Sequence, residues 1–66
     1  MAVTNSRAGP IRLVLEPWGD ESLVSPGATA KVRFSGPPGG ELEVEATDGE
    51  IRLYGWEGSI LEFLPQ

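Results

Sequence analysis

Ten carboxylates, five basic side chains, two tryptophans and one tyrosine are the groups through which this 66-residue chain could do chemistry, and it contains neither histidine nor cysteine. Without an imidazole or a thiolate there is no Ser-His-Asp or Cys-His arrangement. The nitrogen and sulfur ligands of structural zinc, blue copper and haem are missing too, as are disulfides. Two acids can hydrolyse a glycoside when they stand ~5 to 9.5 Å apart across a sugar cleft, but no pair stands out and so short a chain has little material for the cleft. The glycine-rich stretches join strand to strand, so no helix N-terminus follows them to receive a phosphate. No catalytic residue, cofactor or metal is assigned on this inventory, and enzymatic function ranks last.

Two loops share a composition: Glu16-Pro17-Trp18-Gly19-Asp20-Glu21-Ser22 and Tyr54-Gly55-Trp56-Glu57-Gly58-Ser59. Each sets a Trp among Gly, acids and a Ser, three residues after a strand Leu, Leu15 or Leu53. Trp18, Asp20, Glu21, Trp56 and Glu57 are therefore the candidate ligand groups. Such an aromatic and acidic patch stacks on a sugar ring, caps a cationic peptide or anchors an interface. The competing reading folds each Trp over one end of the domain as a plug. Trp18 is expected as a plug; Trp56, between two Gly, is left open between the two roles, because Trp is large and seldom fully buried. Asp20-Glu21 lacks the Asp-x-Asp-x-Asp-Gly spacing that would gather the six or so oxygens a calcium ion requires.

The elements that must position these groups are strands. Nine Gly and six Pro interrupt the chain at short intervals, and between them apolar and polar residues alternate with period 2. Strands are expected at Ile11 to Glu16, Ser22 to Ser25, Ala28 to Ser35, Glu41 to Ala46, Glu50 to Tyr54 and Ser59 to Leu64. Pro26-Gly27 suits a type II turn, and Asp48-Gly49 is a two-residue hairpin signal.

That hairpin fixes its own register: Thr47 opposes Glu50, Ala46 Ile51, Glu45 Arg52, Val44 Leu53 and Glu43 Tyr54. Carrying the same logic across Gly36 to Gly40 opposes Phe34 to Leu42 and Val32 to Val44, with Arg33 against Glu43 and Lys31 against Glu45. Across Gly55 to Ser59 it opposes Leu53 to Leu61 and Ile51 to Phe63. A four-stranded meander from Ala28 to Leu64 follows, with Glu45, Arg52 and Glu62 in one outer row and Val44, Ala46, Ile51, Leu53, Leu61 and Phe63 inside. The acids Glu41, Glu43 and Glu45 then read as a salt-bridge ladder with Lys31, Arg33 and Arg52. The fold class is all-β, a small antiparallel barrel or two-layer sandwich of about six short strands.

A chain of this length is one domain, read as residues 11–66 preceded by a flexible arm over residues 1–10. It buries only ~60% of its unfolded surface, so stability is marginal and association is the staple left to it. The arm has no apolar h-region, so it is not read as a signal peptide, and no run approaches the ~18 apolar residues of a membrane span. A cytoplasmic or particle-associated location is expected. A net charge of -5 with scattered basic residues gives no footprint for a phosphate backbone, and nucleic acid is not expected as a partner. The first and last strands break the alternation: Val14, Ile60 and Leu64 fall on the face that elsewhere carries charge. Strands apolar on both faces are normally covered on both, so these residues form the candidate interface.

Leu15-Glu16-Pro17-Trp18-Gly19-Asp20-Glu21, Pro26-Gly27 and Gly55-Trp56-Glu57-Gly58-Ser59 together resemble a pattern in short uncharacterised bacterial β proteins of unassigned function, over most of Ile11 to Leu64. The resemblance implies no activity. Leu23 to Phe34 is also similar in turn texture to bacterial β-sandwich and cupredoxin-like domains, though without Cys and His a cupredoxin's copper site is not present. The preferred function is a non-enzymatic interaction or assembly module, either a homo-oligomer or an accessory subunit of a larger complex such as a capsid. A carbohydrate- or peptide-binding module using the Trp loops comes next, and an acidic inhibitor third.

Overall fold

Ile11, Leu13 and Leu15 alternate along β2 (Ile11–Glu16) with side chains that are 3%, 0% and 0% exposed, and the rest of the chain is built around that row. The structure is a computed structural model that describes residues 1–65. Its other strands are β1 (Ala2–Thr4), β3 (Asp20–Val24), β4 (Thr29–Ser35), β5 (Glu43–Thr47), β6 (Glu50–Tyr54) and β7 (Ile60–Phe63), with no helix among the described residues. One sheet has the order β1-β4-β7 and the other β3-β2-β6-β5. They stack as an open sandwich, not a closed barrel. Leu13, Leu15, Val24, Ala30, Val32, Leu53 and Leu61 form the core between them, with Val3, Ala28, Leu42, Ile51 and Phe63 packed around it.

Local turn chemistry operates as expected. Gly27 takes φ +79° and the Ala28 N–H donates to the Ser25 carbonyl at 2.9 Å, which closes the type II turn. Across Asp48-Gly49 all five expected cross-strand pairs form, from Thr47↔Glu50 to Glu43↔Tyr54.

The wider meander does not form. β4 lies between β1 and β7, and β6 lies between β5 and a parallel β2. The segments after Ser35 and after Tyr54 therefore cross from one sheet to the other. Leu61 opposes Phe34 and Phe63 opposes Val32, in place of Leu53 and Ile51. Glu62 pairs with Arg33 at 2.8 Å, so the outer row of Glu45, Arg52 and Glu62 is split after its first two members. Alternation survives this change in β4, β6 and β7 because it records which face is buried, not which strand stands alongside, but Val44 and Ala46 on β5, expected inside, are exposed.

The N-terminal segment expected as an arm joins the sandwich. Val3 opposes Ala30, and Met1 exchanges hydrogen bonds with Val32 through its ammonium and carbonyl groups, both at 2.8 Å. Asn5 is fully buried and ties the segment down: its Nδ2 donates to the carbonyls of Gly9 (2.9 Å) and Val24 (2.8 Å), and its Oδ1 accepts from the Arg7 N–H (2.8 Å).

Candidate functional site

The two Trp loops meet. β2 and β6 run parallel with Leu15 opposite Leu53 and Glu16 opposite Tyr54, so both loops leave the sheet at the same end. The Glu16 carbonyl accepts the Gly55 N–H at 3.0 Å and holds the loop bases together. Between them opens a cleft of about 340 Å³ lined by Glu16, Pro17, Trp18, Tyr54, Gly55, Trp56, Glu57, Gly58 and Ser59. Three aromatic rings and two carboxylates line it, and no cation does.

The anchored indole is Trp56, whose role the sequence left open, and not Trp18. Trp56 is half-buried and anchored: Nε1 donates to the Pro37 carbonyl at 2.9 Å, its N–H donates to Ser59 Oγ at 2.8 Å, and its ring meets Phe34 edge-on at 6.5 Å. The ring lies across Gly40 so closely that a Cβ there would overlap it. The Gly36 to Gly40 stretch thus seats Trp56 and does not form a hairpin. Trp18, expected as a plug, is 44% exposed at the mouth of the cleft, with one edge of its ring beside Gly55. Pro17 precedes it on a cis peptide bond.

Glu16 borders the cleft, with its carboxylate 3.5 Å from Arg52 on the outer face of the sheet, while Glu57 is exposed. The other two acids of the candidate set stand elsewhere. Asp20 is exposed on β3, and Glu21 faces Arg12 at 3.4 Å on the outer side of the sheet. Glu16, Pro17 and Tyr54 stand in the two loops read from the sequence but are not among its candidate ligand groups. Tyr54 Oη donates to Glu45 at 3.1 Å; desolvation first, then this bond and the neighbouring carboxylate charge, raises the phenol pKa above its ordinary value.

Val14, Ile60 and Leu64 do not form one surface. Val14 is only 3% exposed, on the outer face of the four-stranded sheet. Its neighbours on that face are Arg12 and Glu16 along the strand and Glu21 and Arg52 across it. Ion pairs link these residues through Glu50, and long charged side chains cover apolar surface with their stems. Ile60 is 57% exposed and Leu64 half-buried; their register and alternation place both on the outer side of the other sheet. The chain therefore covers Val14 itself and separates it from the other two by the thickness of the sandwich. A comparison with protein-family models, with curated proteins and with solved structures finds no match to this chain.

Proposed function

We propose that this protein is a non-enzymatic interaction module whose Trp-loop cleft receives a basic side chain of a partner protein. The observation that carries the reading is the lining of the cleft: Trp18, Tyr54 and Trp56 with Glu57, which has no ion pair among the described residues, and no cation among the lining residues. A guanidinium or ammonium group over an indole face gains ~0.5 to 2 kcal/mol, and the Glu57 carboxylate adds to that attraction. The net charge of -5 favours the approach of such a partner. Trp56 is held by Pro37 and Ser59, so the rigid ring forms a wall and the open Trp18 supplies the free face.

Titration of Trp fluorescence with a short peptide carrying one Arg between apolar residues tests the reading. Saturable binding is expected, weakened at least fivefold by Trp18→Ala and by Glu57→Lys. Absence of peptide binding, or tighter binding of a neutral oligosaccharide at the same Trp, overturns it.

A further inference from the structure

Every residue of β5, Glu43–Thr47, is exposed. The other edge strands each keep at least one side chain wholly or partly buried: Val24 on β3 and Leu61 on β7 are buried and Val3 on β1 is half-buried. β5 ends its sheet, with β6 as its sole neighbour. The pair next to a two-residue turn, here Thr47 and Glu50, exchanges both backbone hydrogen bonds, and such pairs alternate along an antiparallel ladder. Glu43, Glu45 and Thr47 therefore turn their backbone groups toward β6, while Val44 and Ala46 turn theirs outward.

The side chains on this edge follow the same alternation. Val44, 58% exposed, and Ala46 lie on the core-facing side, beyond the reach of the three-stranded sheet. Glu43 and Glu45 lie on the outer side, and Glu41 precedes them. Of the ladder expected to neutralise them only Arg52 stays alongside, opposite Glu45 in register but ion-paired to Glu16 and Glu50, because Lys31 and Arg33 stand in the other sheet. Among the described residues none of these three acids has an ion pair, and Glu45 accepts only the Tyr54 hydroxyl.

An open edge is a template for another strand, and the charge decides which one. A second copy of β5 laid antiparallel would set glutamates against glutamates, and directly opposed like charges are destabilising. A strand with cations at those positions reverses the sign. We propose that the free edge of β5 accepts, by strand addition, an extended segment of another protein in which Lys or Arg alternates with apolar residues. Its backbone pairs with Val44 and Ala46, its basic side chains flank Glu43 and Glu45, and its apolar side chains flank Val44 and Ala46. This site shares no residue with the Trp-loop cleft.

The test is amide hydrogen exchange on the full chain with a seven-residue peptide alternating Lys and Val. The same peptide N-methylated at alternate amides and a peptide alternating Glu and Val serve as comparisons. The Lys peptide is expected to slow exchange at Val44 and Ala46 at least tenfold, and neither comparison peptide to do so. Glu43→Lys with Glu45→Lys is expected to weaken binding at least tenfold, and Trp18→Ala to leave it unchanged, which separates this edge from the cleft. The Glu peptide supplies the charge test on the unaltered chain, should the double variant fail to fold. Unchanged exchange at Val44 and Ala46, equal protection by the Glu or N-methylated peptide, or protection confined to the Trp loops would overturn the proposal. So would concentration-dependent protection of β5 without peptide, which would make a second copy the occupant.

Discussion

Leu15 and Leu53 are register partners in the parallel strands β2 and β6, 0% and 1% exposed, and each precedes a tryptophan by three residues. The pairing converts two similar pieces of sequence into two walls of one cleft. It also sits at the centre of the core, where truncation leaves a cavity. Leu53→Ala is expected to destabilise by ~2 to 5 kcal/mol, out of a total of roughly 3 to 10 kcal/mol for a chain of this length. Leu23→Ala, at a side chain 68% exposed, should change stability by less than ~0.5 kcal/mol. Urea unfolding of the two variants measures the contrast, and equal losses would contradict a core centred on Leu53.

Asn5 pairs three backbone groups, the carbonyls of Gly9 and Val24 and the N–H of Arg7, with one fully buried side chain. Asn5→Ala should therefore lower stability by ~2 to 3 kcal/mol, since each buried group left unpaired costs ~1 to 3 kcal/mol. Amide exchange in Ala2 to Thr4 should accelerate with it, because Asn5 ties that strand to the β3 and β4 connection. A loss under ~0.5 kcal/mol by urea unfolding would show that the segment is held by backbone pairing alone.

Trp56 and Gly40 make a sharper test of the wall of the cleft. A methyl at Gly40 would overlap the indole, whereas Gly39, at φ +89°, has nothing within 4 Å of its would-be Cβ. In a Trp18→Phe background, Gly40→Ala should shift the remaining indole emission to the red as the ring is expelled. Gly39→Ala should leave the emission in place and lose only ~1 to 2 kcal/mol through left-handed backbone strain. Identical spectra for the two variants would remove the argument that Gly40 is there to seat the ring.

Tyr54 is the one tyrosine, so phenolate absorbance reports it alone. Desolvation and the Glu45 carboxylate favour its neutral form, which sets its folded pKa above the unfolded value of about 10. The associated stability is whole below pH ~10 and declines as pH rises through the raised pKa, because the unfolded chain releases its proton first. The absorbance midpoint should stand above that of the urea-unfolded chain, and Glu45→Gln should bring the two closer. A folded midpoint at or below the unfolded one would contradict the Tyr54 to Glu45 contact.

Much of the local structure was legible without coordinates. The bounds of β2 and β6, the Pro26-Gly27 turn and the Asp48-Gly49 register follow from alternation and from turns short enough to leave one geometry. The likeness of the two Trp loops was legible as well. Their meeting was not, because it depends on a parallel pairing between strands 38 residues apart in register, and nothing in either strand names the other. Glu16, Pro17 and Tyr54 were legible as loop residues but not as cleft residues for the same reason, since they come together only through that pairing.

By itself the sequence determined an all-β chain, the inward rows of its strands and the chemistry that its side chains exclude, because period and turn type are local properties. The tertiary structure alone decided which strands are neighbours. The connections after Ser35 and Tyr54, seven and five residues long, span from sheet to sheet as readily as from strand to strand, so either path satisfies the same alternation. That choice carried Lys31 and Arg33 away from Glu43 and Glu45, hid Val14 beneath Arg12 and Arg52, and left β5 with an open edge. Charge balance along a chain is set by composition, but which charges go unanswered is set by which strands lie side by side.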